Sequence, residues 1–583
     1  MRVEGEAHKS GYSEVTMWGI SALIRAGFHE GEKMRKRQVI GGAILAGALL
    51  LFIDKLGSVS TTPIELNDAR GDACTSILIG KDATVDGSVI CTQSQDSGNC
   101  GVSLQYHPAA SYPSGQKRIV KLWNVYDLLG VNRSPALMAG PVLEIPQVEH
   151  TYSYVEAVFP FMNEHQVAIG ESTLGGIRKE LFPSEASDAK LAIVDVSRIG
   201  LERATSAREA IKIMASMMEQ YGWRGWNPGD GEYFAVADKN EVWCFEFIPA
   251  GPNWKYGSGE PGVAWCAMRI PDDKFAVNPN ESIIGEINLE DPNNYMASSN
   301  VKSLAVKHGW WDPKSAKPFR WDLAYSGKKA NSLRTWRALS MVAPLQNLKP
   351  HAEGYPNPIK PDKKLSVADV RRIHADHFEG TEFDKTKGLA AGPFGSPEWP
   401  KGTPDDRRSL GVLYSDTVII NQCRNWLPDP VGGVMWVGMS GGDITVYVPF
   451  YAGITMLPKA YMTGLRTKFN WDSAFWVFYL VGNWAQLNYV NMINEIRTLQ
   501  NALETSEFNR LEAMDEEAAT LYWENPDLAR QRLTDYCADN ANKVLDAWRE
   551  LAYFLIARYG PGSKFSPFVA PDWWNEAIKQ RHD

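Results

Sequence analysis

The chain has 583 residues, enough for one large domain or several ordinary ones. Hydrophobic residues make up 44% of it and charged residues 22%; these are the proportions of a globular protein and exclude wholesale disorder and a fibrous repeat. The formal net charge is −9, from 69 acidic and 60 basic side chains, and this balance argues against a dedicated nucleic-acid surface, which needs clustered positive charge.

The first predicted element is an apolar segment near the N-terminus. Apolar or glycine residues run without interruption from Val39 to Ile53, and a basic cluster at 33–37 stands just before them. A basic flank followed by a short apolar stretch is typical of a signal peptide, and as a helix this stretch would span about 22 Å, less than a hydrocarbon core of about 30 Å. We therefore predict a signal peptide or signal anchor at about residues 34–53, with a buried core helix as the alternative.

This prediction sets the expected compartment and the start of the working chain. Secretion, or transport into an endomembrane lumen, implies an oxidising compartment in which cysteines can pair. The translation start is left open between Met1 and Met34, because Met34 lies inside the basic cluster and residues 1–33 precede the signal pattern. The polar stretch up to Ala73 lacks apolar periodicity and is typical of a linker or pro-segment. We therefore assign residues 1–73 to an N-terminal extension.

Short strands are predicted in the next part of the chain. Residues 74–80 and 88–93 have strand patterns, separated by a turn with Asp86-Gly87 at its tip. A further strand is predicted at 165–172 and a hairpin at 234–247. Strands and helices follow one another without regular βαβ alternation, which argues against a doubly wound fold.

Helices are predicted between these strands and at the C-terminal end. A capping box at 206–209 opens a helix that runs to Tyr221. Residues 476–496 form a long apolar helix, and Asn525-Pro526 marks the start of another. We predict that the C-terminal helices pack on the preceding domain, with a subunit contact as the alternative.

The best candidate for metal ligands is weak. His374 and His377 form an H-x-x-H pair, but no further ligand cluster accompanies them. The chain also has no C-x-x-C and no P-loop. We therefore predict neither a metal site nor a cofactor.

Cys74 offers a compact catalytic unit by itself. It opens a strand immediately after the predicted removable segment, so cleavage between Ala73 and Cys74 would expose it as a new N-terminus. The α-amino group of such a terminus has a pKa of about 7.7–8.0 and can accept the thiol proton at neutral pH. The alternative is that Cys74 forms half of a disulfide.

The region around Cys74 is also similar to a known family. The stretch CTSILIGKDATVDGSVI (74–90) resembles the opening of mature N-terminal-nucleophile (Ntn) cysteine dipeptidases, the dipeptidase A family, which is related to secernins and more distantly to penicillin V acylase and bile-salt hydrolase. The resemblance continues in the same order to roughly residue 500, through NEHQVAIGES (163–172), LERATSAREA (201–210), YMASSNVKSLAVKHGWWDP (295–313), DHFEGTEFDKTKGLAAGPFG (376–395), VYVPFYAG (446–453) and AFWVFYLVGNWA (474–485).

The resemblance implies a fold, a domain organisation and a reaction. The expected fold is α+β, a four-layer αββα Ntn-hydrolase sandwich over residues 74–470, with a helical C-terminal region at 471–583. It also implies autocatalytic processing between Ala73 and Cys74. The thiolate would then attack a peptide carbonyl, and the α-amino group of Cys74 would act first as base and then as acid.

The resemblance assigns two residues at the end of the second strand. Related enzymes typically have Arg-Asn-x-Asp there, whereas this chain has Gln93-Ser94-Gln95-Asp96. Asp96 matches the residue that holds the terminal amine, and Gln93 replaces the arginine. A fixed cation lowers the pKa of a thiol, whereas a neutral amide only donates a hydrogen bond. We therefore predict slower chemistry, unless a cation from elsewhere takes the place of the arginine.

Other site residues follow from the same resemblance. The asparagine that stabilises the oxyanion corresponds to Asn278, with Asn280, which is also a glycosylation sequon, as the alternative. A later arginine corresponds to Arg334, with Arg337 as the alternative. Asn163 belongs to a matching stretch, and we predict a structural role for it.

The cysteine count also bears on the site. The chain has seven cysteines, so six remain to pair if Cys74 stays free as the nucleophile. We hypothesise a bridge between Cys91 and Cys100, which would rigidify the loop that carries Asp96.

Together these observations predict a cysteine dipeptidase that hydrolyses dipeptides through Cys74. The alternatives are an amidase that acts on another small acyl amide and a non-catalytic, secernin-like binding protein; Gln93 favours the second alternative, whereas Cys74 and Asp96 oppose it. The expected partner is a dipeptide or small amide, and no nucleic acid is expected. Membrane contact is expected only through an uncleaved signal anchor, and a homo-oligomer is left open.

Overall fold

The computed structural model describes residues 74–97, 102–121, 141–184, 186–225, 231–398, 408–466, 468–560 and 568–579. The predicted signal segment and pro-segment at 1–73, together with Cys100, lie outside these ranges. Within them, no helix combines the length and the apolar character that crossing a membrane requires.

The described residues contain short strands and mostly longer helices. The strands are β1 (Ser76–Ile79), β2 (Val89–Gln95), β3 (Gln105–His107), β4 (Ala110–Ser111), β5 (Lys117–Lys121), β6 (Pro141–Pro146), β7 (His150–Thr151), β8 (Tyr154–Glu156), β9 (Pro160–Asn163), β10 (Ala168–Leu174), β11 (Gly231–Ala237), β12 (Val242–Pro249), β13 (Val263–Ile270), β14 (Phe275–Asn278), β15 (Tyr295–Ala297), β16 (Thr417–Cys423), β17 (Val434–Met439) and β18 (Val448–Tyr451). The helices are α1 (Ile193–Arg203), α2 (Ala207–Tyr221), α3 (Ser303–Lys307), α4 (Trp321–Tyr325), α5 (Leu333–Val342), α6 (Val367–His374), α7 (Asp429–Gly432), α8 (Ala474–Ala485), α9 (Tyr489–Glu524), α10 (Pro526–Tyr559) and α11 (Asp572–Lys579). Short 3-10 helices lie at Lys81–Ala83, Lys179–Leu181, Pro344–Gln346 and Leu389–Ala391.

Two sheets contain most of the strands. One has six strands in the order β14-β1-β2-β16-β17-β18, and the other has eight in the order β15-β13-β12-β11-β10-β9-β8-β3. The neighbouring strands in both sheets run antiparallel. The pairs β4-β7 and β5-β6 form separate ribbons. This mixture of helices and antiparallel sheets confirms the predicted α+β class, and neither sheet closes into a barrel.

The two sheets pack against each other over a shared hydrophobic core. Strand β2 of the six-stranded sheet contacts β10 and β11 of the eight-stranded sheet. All residues of β1 and β2 are buried, so these strands do not alternate between apolar and polar side chains. The C-terminal half of β2 is nevertheless polar, and Gln93 and Gln95 there are each only 1% exposed. Since buried polar groups need partners, this end of β2 is where a functional site is expected.

Gly170 in β10 lets the two sheets come very close together. A Cβ atom added at this position would lie 2.2 Å from the carbonyl oxygen of Thr92 in β2, which no side chain tolerates. The next residue, Glu171, accepts a hydrogen bond on its carbonyl oxygen from Ser76 Oγ at 2.8 Å. The close approach therefore brings Glu171 of the second sheet to β1 and β2 of the first.

Helices cover the outer faces of both sheets. On the eight-stranded sheet, Ile211 and Met214 of α2 belong to one hydrophobic cluster with Phe234 and Phe245 of the sheet. On the six-stranded sheet, α6, α8 and α10 contact β16, β17 and β18 respectively. The C-terminal helices thus pack on the preceding domain, as predicted.

The helix boundaries confirm that Ser206 and Asn525 cap helices, and they correct the length of one predicted helix. The Ser206 side chain accepts from the backbone N–H of Glu209 at the start of α2, and Asn525 caps α10 in the same manner. The single helix predicted over 476–496 is wrong, because α8 and α9 are separate. Asn488 between them has a non-helical backbone, with φ −153° and ψ 63°.

The predicted pairing of six cysteines is also wrong for the described part of the chain. Six cysteines there are buried and free: Cys74, Cys91, Cys244, Cys266, Cys423 and Cys537. The amide of Asn421 donates to Cys91 Sγ at 3.8 Å, inside the six-stranded sheet. The free Cys91 thiol contradicts the hypothesised bridge to Cys100. Apart from Cys74, these buried cysteines belong to the hydrophobic core and act as small apolar residues.

Candidate active site

Cys74 lies directly before β1 and next to the end of β2. The backbone N–H of Thr75 donates to the Ser94 carbonyl at 3.3 Å, and the N–H of Ser94 donates back at 2.9 Å. This antiparallel pairing places Cys74 beside the polar residues 93–96. Cys74 is only 2% exposed, so protein atoms enclose its thiol.

Two carboxylates and one backbone amide surround the thiol. The Glu171 carboxylate lies within hydrogen-bonding reach of Cys74 Sγ, and the backbone N–H of Asp96 donates to the sulfur. Burial raises the pKa of the Cys74 thiol well above its usual value, and the negative charges of Glu171 and Asp96 raise it further. The thiol therefore needs a base if it is to act as a nucleophile near neutral pH.

The Asp96 carboxylate is held in place by three donors. Ser94 Oγ donates to one of its oxygens at 2.9 Å, and Ser415 Oγ donates to the other at 2.6 Å. The guanidinium of Arg408 forms an ion pair with the same carboxylate. These contacts fix the orientation of Asp96, whose charge acts on the predicted nucleophile.

Arg334 at the start of α5 binds the backbone on both sides of the site. Its Nη1 donates to the Cys74 carbonyl at 3.1 Å and to Thr75 Oγ1 at 3.0 Å, and its Nη2 donates to the Pro279 carbonyl at 2.8 Å. Burial, followed by the positive charge of Arg408, lowers the pKa of Arg334 to about 9. This arginine therefore joins β1 to the end of β14.

The alternative arginine has a different role. Arg337 lies on the same helix and forms two hydrogen bonds to the carboxylate of Asp376, at 2.6 and 2.8 Å. It also donates to the Glu379 carbonyl at 2.8 Å. These contacts lie in the loop after α6, so Arg337 is a structural residue and Arg334 is the one next to Cys74.

The two candidate asparagines differ in what their amides bind. Asn278 ends β14 opposite Ser76, and its Oδ1 accepts from the backbone N–H of Asn280 at 2.9 Å. Its buried Nδ2 has no hydrogen-bond partner among the described residues. The Asn280 amide is fully engaged, since it donates to the Thr173 carbonyl and accepts from Arg334. An unused buried donor suits an oxyanion, which favours Asn278.

Gln93 connects the two sheets beside the thiol. Its Nε2 donates to Glu171 Oε2 at 2.8 Å. Its Oε1 is buried and has no partner in the described structure. The Gln93 amide therefore donates to Glu171 through Nε2 and keeps Oε1 as an unused acceptor. By the resemblance, this is the position of the arginine in related enzymes.

Three residues of this site were missed by the sequence analysis. Glu171 lies inside one of the matching stretches, but nothing in its spacing from Cys74 indicates a contact across the two sheets. Ser415 and Arg408 lie in the segment that leads into β16, which pairs with β2. Because they meet Asp96 only through this pairing, the sequence offers no signal for them.

The histidine pair and Asn163 have structural contacts. His374 Nε2 is 2.8 Å from Thr92 Oγ1, and burial lowers the pKa of His374 to about 3, which keeps it neutral. His377 contacts the carboxylate of Glu379 instead. In the part of the chain that the structure describes, no three metal-ligating side chains come together. Asn163 Nδ2 donates to the carbonyl groups at the end of α1, in accordance with the predicted structural role.

Comparisons with known proteins match this region. The model of peptidase family C69 matches residues 73–502, from one residue before Cys74 into α9. A probable dipeptidase from Latilactobacillus sakei is 26% identical over 425 residues, which cover 70% of this chain and 79% of the relative. Dipeptidase A from Lactobacillus helveticus is 24% identical over 421 residues, which cover 71% of this chain and 82% of the relative. A probable dipeptidase from Salmonella dublin is 26% identical over 405 residues, which cover 66% of this chain and 81% of the relative.

Proposed function

This chain belongs to peptidase family C69, and from this premise we propose that it is a cysteine dipeptidase in which Cys74 acts as an N-terminal nucleophile. One observation carries the proposal, the set of contacts around Cys74. Asp96 donates its backbone N–H to the sulfur, Arg334 binds the Cys74 carbonyl, and Asn278 keeps a buried amide donor without a partner among the described residues. The dipeptidase names of the relatives support the substrate class.

The base in this proposal is the α-amino group of Cys74. Cleavage of the Ala73–Cys74 bond converts the backbone nitrogen of Cys74 into an amine with a usual pKa of about 7.7–8.0. Such an amine can accept a proton near neutral pH, which the thiol, with its raised pKa, does not release unaided. In this proposal the Asp96 carboxylate, whose charge acts on the Cys74 side chain, stabilises the ammonium form.

The reaction then proceeds in two stages. The amine removes the thiol proton, the sulfur forms a bond to the peptide carbonyl carbon, and Asn278 Nδ2 donates to the oxyanion that results. The ammonium returns its proton to the peptide nitrogen, so the C–N bond breaks and the second amino acid leaves. In the second stage the amine deprotonates a water molecule, which hydrolyses the thioester and releases the first amino acid and the thiol.

Two arginines near the site can compensate for the absence of an arginine at position 93. Arg334 binds the Cys74 carbonyl, and Arg408 forms an ion pair with the Asp96 carboxylate, whose negative charge raises the pKa of the thiol. A positive charge near a thiol favours the thiolate. We therefore propose that these side chains partly supply the electrostatic effect of the arginine that related enzymes carry on the second strand.

We extend the proposal to the fold and the compartment. The packing of α1 and α2 on one sheet, and of α6, α8 and α10 on the other, supports a four-layer αββα Ntn-hydrolase sandwich. In this proposal, residues 471–583 form a helical extension of the catalytic domain at 74–470. Residues 1–73 direct the protein to the secretory route and are removed by processing.

The proposal is tested by incubating the purified, processed protein with a panel of dipeptides and measuring free amino acids by mass spectrometry. We expect equal amounts of both amino acids from each dipeptide that is cleaved, and loss of this activity after alkylation with iodoacetamide. Cleavage of small acyl amides without cleavage of any dipeptide would make the protein an amidase. Binding without cleavage would make it a secernin-like protein, and either result overturns the dipeptidase proposal.

A further inference from the structure

Two buried oxygen acceptors belong to Glu171 and Gln93, a hydrogen-bonded pair of which Glu171 contacts the nucleophile. The Glu171 carboxylate is within hydrogen-bonding reach of the Cys74 thiol, and it accepts from Gln93 Nε2 at 2.8 Å and from Thr173 Oγ1 at 3.3 Å. On the other side of the same amide, Gln93 Oε1 is buried and has no partner among the described residues. Gln93 and Glu171 are each 1% exposed, so any group that binds these oxygens is removed from water.

The position of these acceptors is fixed by the packing of the two sheets. Ser76 Oγ donates to the Glu171 carbonyl at 2.8 Å, and the adjacent Gly170 lies against the backbone of Thr92 with no room for a side chain. Gln93 itself is part of β2, where its backbone is paired with Ile419 of β16. The two acceptors are therefore held by strands on both sides and do not depend on a loop.

The chemistry of the acceptors suits an ammonium group. A primary ammonium has three N–H donors and no acceptor, and its hydrogen bonds to a carboxylate are charge-assisted. In a peptide with a free N-terminus, the α-nitrogen is separated from the first carbonyl carbon by two bonds, or about 2.5 Å. When Cys74 attacks that carbonyl, the ammonium lies within reach of the Glu171 carboxylate, which contacts the thiol.

We propose that Glu171 and Gln93 Oε1 bind the α-ammonium of the substrate, an inference that rests on the proposed dipeptidase function. This subsite selects peptides with a free N-terminus and sets the first peptide bond against Cys74. An N-acylated peptide carries no positive charge to pair with Glu171 and leaves Gln93 Oε1 without a donor. Glutamine at position 93 suits this role, because an arginine there would pair with Glu171 and compete with the substrate.

The α-amino group of Cys74 is a second ammonium that competes with the substrate for Glu171 and Gln93 Oε1. Asp96, which is held by Ser94, Ser415 and Arg408 and whose backbone N–H donates to the Cys74 sulfur, is the anchor for that amine in the proposed mechanism. In this inference, Asp96 binds the α-amino group of the enzyme and Glu171 binds the α-ammonium of the substrate.

The test compares a free dipeptide with its N-acetyl form in processed wild-type protein and in Glu171→Gln. We expect the variant to lose about 10- to 100-fold in kcat/KM for the free dipeptide, because a charge-assisted contact is lost, and to lose much less for the acetylated one, so that the ratio of the two values falls. Gln93→Arg is a second variant that should reduce the same ratio. Glu241→Gln is a matched control, because this glutamate pairs with Arg208 and Arg269 away from the site, and it should leave the ratio unchanged.

A pH profile adds a readout that a purely structural role would not move. The Glu171 charge raises the pKa of the Cys74 thiol, whose deprotonation sets the alkaline limb of the profile, so Glu171→Gln should shift that limb to lower pH for the acetylated substrate. Equal losses for both substrates would overturn the inference and assign Glu171 to the positioning of Cys74 or its amine. Wild-type protein that cleaves neither substrate would instead overturn the proposed function, and this inference with it.

Discussion

Cys74→Ala is expected to abolish dipeptide hydrolysis and to leave the chain uncleaved before residue 74. The thiol is both the attacking group in hydrolysis and the nucleophile of autocatalytic processing, and no other described cysteine contacts Asp96 or Arg334. Loss of a hydrolase nucleophile lowers kcat by a factor on the order of 10⁶. The measurements are the release of free amino acids from a dipeptide and the mass of the purified chain.

A neighbouring cysteine provides the matched control for this experiment. Cys91 is also buried and free, and it lies on β2 of the same sheet, where it contacts Asn421 rather than the site. We expect Cys91→Ala to be processed and to hydrolyse dipeptides at a rate close to that of the wild-type protein. A Cys74→Ala protein that still cleaves dipeptides, with Cys91→Ala as a working comparison, would show that the nucleophile is another residue.

Asp96→Asn should cause the second large loss, in both activity and stability. The carboxylate compensates the charge of Arg408 and accepts from Ser94 and Ser415, and it is 2% exposed. Removing one partner of a buried ion pair costs about 3–5 kcal/mol of unfolding free energy. The amide also binds the terminal ammonium less tightly, and we expect kcat/KM per folded molecule to fall by about 10²- to 10³-fold. Urea unfolding and dipeptide kinetics measure the two effects separately.

The control for Asp96 is a second buried aspartate with an arginine partner. Asp376 binds Arg337 through two hydrogen bonds, and it lies outside the contacts of Cys74. Asp376→Asn should lose a similar amount of unfolding free energy but keep the kcat/KM of its folded fraction. If both variants lose activity only in proportion to their stability, Asp96 is a structural residue and the proposed anchor for the amine is wrong.

The polar end of β2 could be predicted because the chemistry of the site is concentrated in short segments. Cys74 precedes β1, Gln93 lies near the end of β2 and Asp96 follows it, so the pairing of these two strands fixes their relative positions. The sequence already favoured Asn278 over Asn280, which is also a glycosylation sequon. The structure adds a physical reason for this preference, because the amide of Asn280 binds Thr173 and Arg334.

The missed residues show why the rest of the site was not predictable. Glu171 reaches Cys74 because Gly170 lets β10 approach β2, a contact between sheets that sequence spacing does not encode. Arg408 reaches Asp96 because β16, which follows it in the chain, pairs with β2. The expected disulfides failed for a related reason, since a cysteine count does not distinguish a thiol in the core, such as Cys91, from one with a partner nearby.

The central claim is that the working protein begins at Cys74 and uses that residue as its nucleophile. Intact-mass measurement with N-terminal sequencing of the active protein tests it most directly. The account predicts a chain of residues 74–583 with a free cysteine at its N-terminus. An active protein whose N-terminal residue is any other, or in which Cys74 is still joined to Ala73, would contradict it.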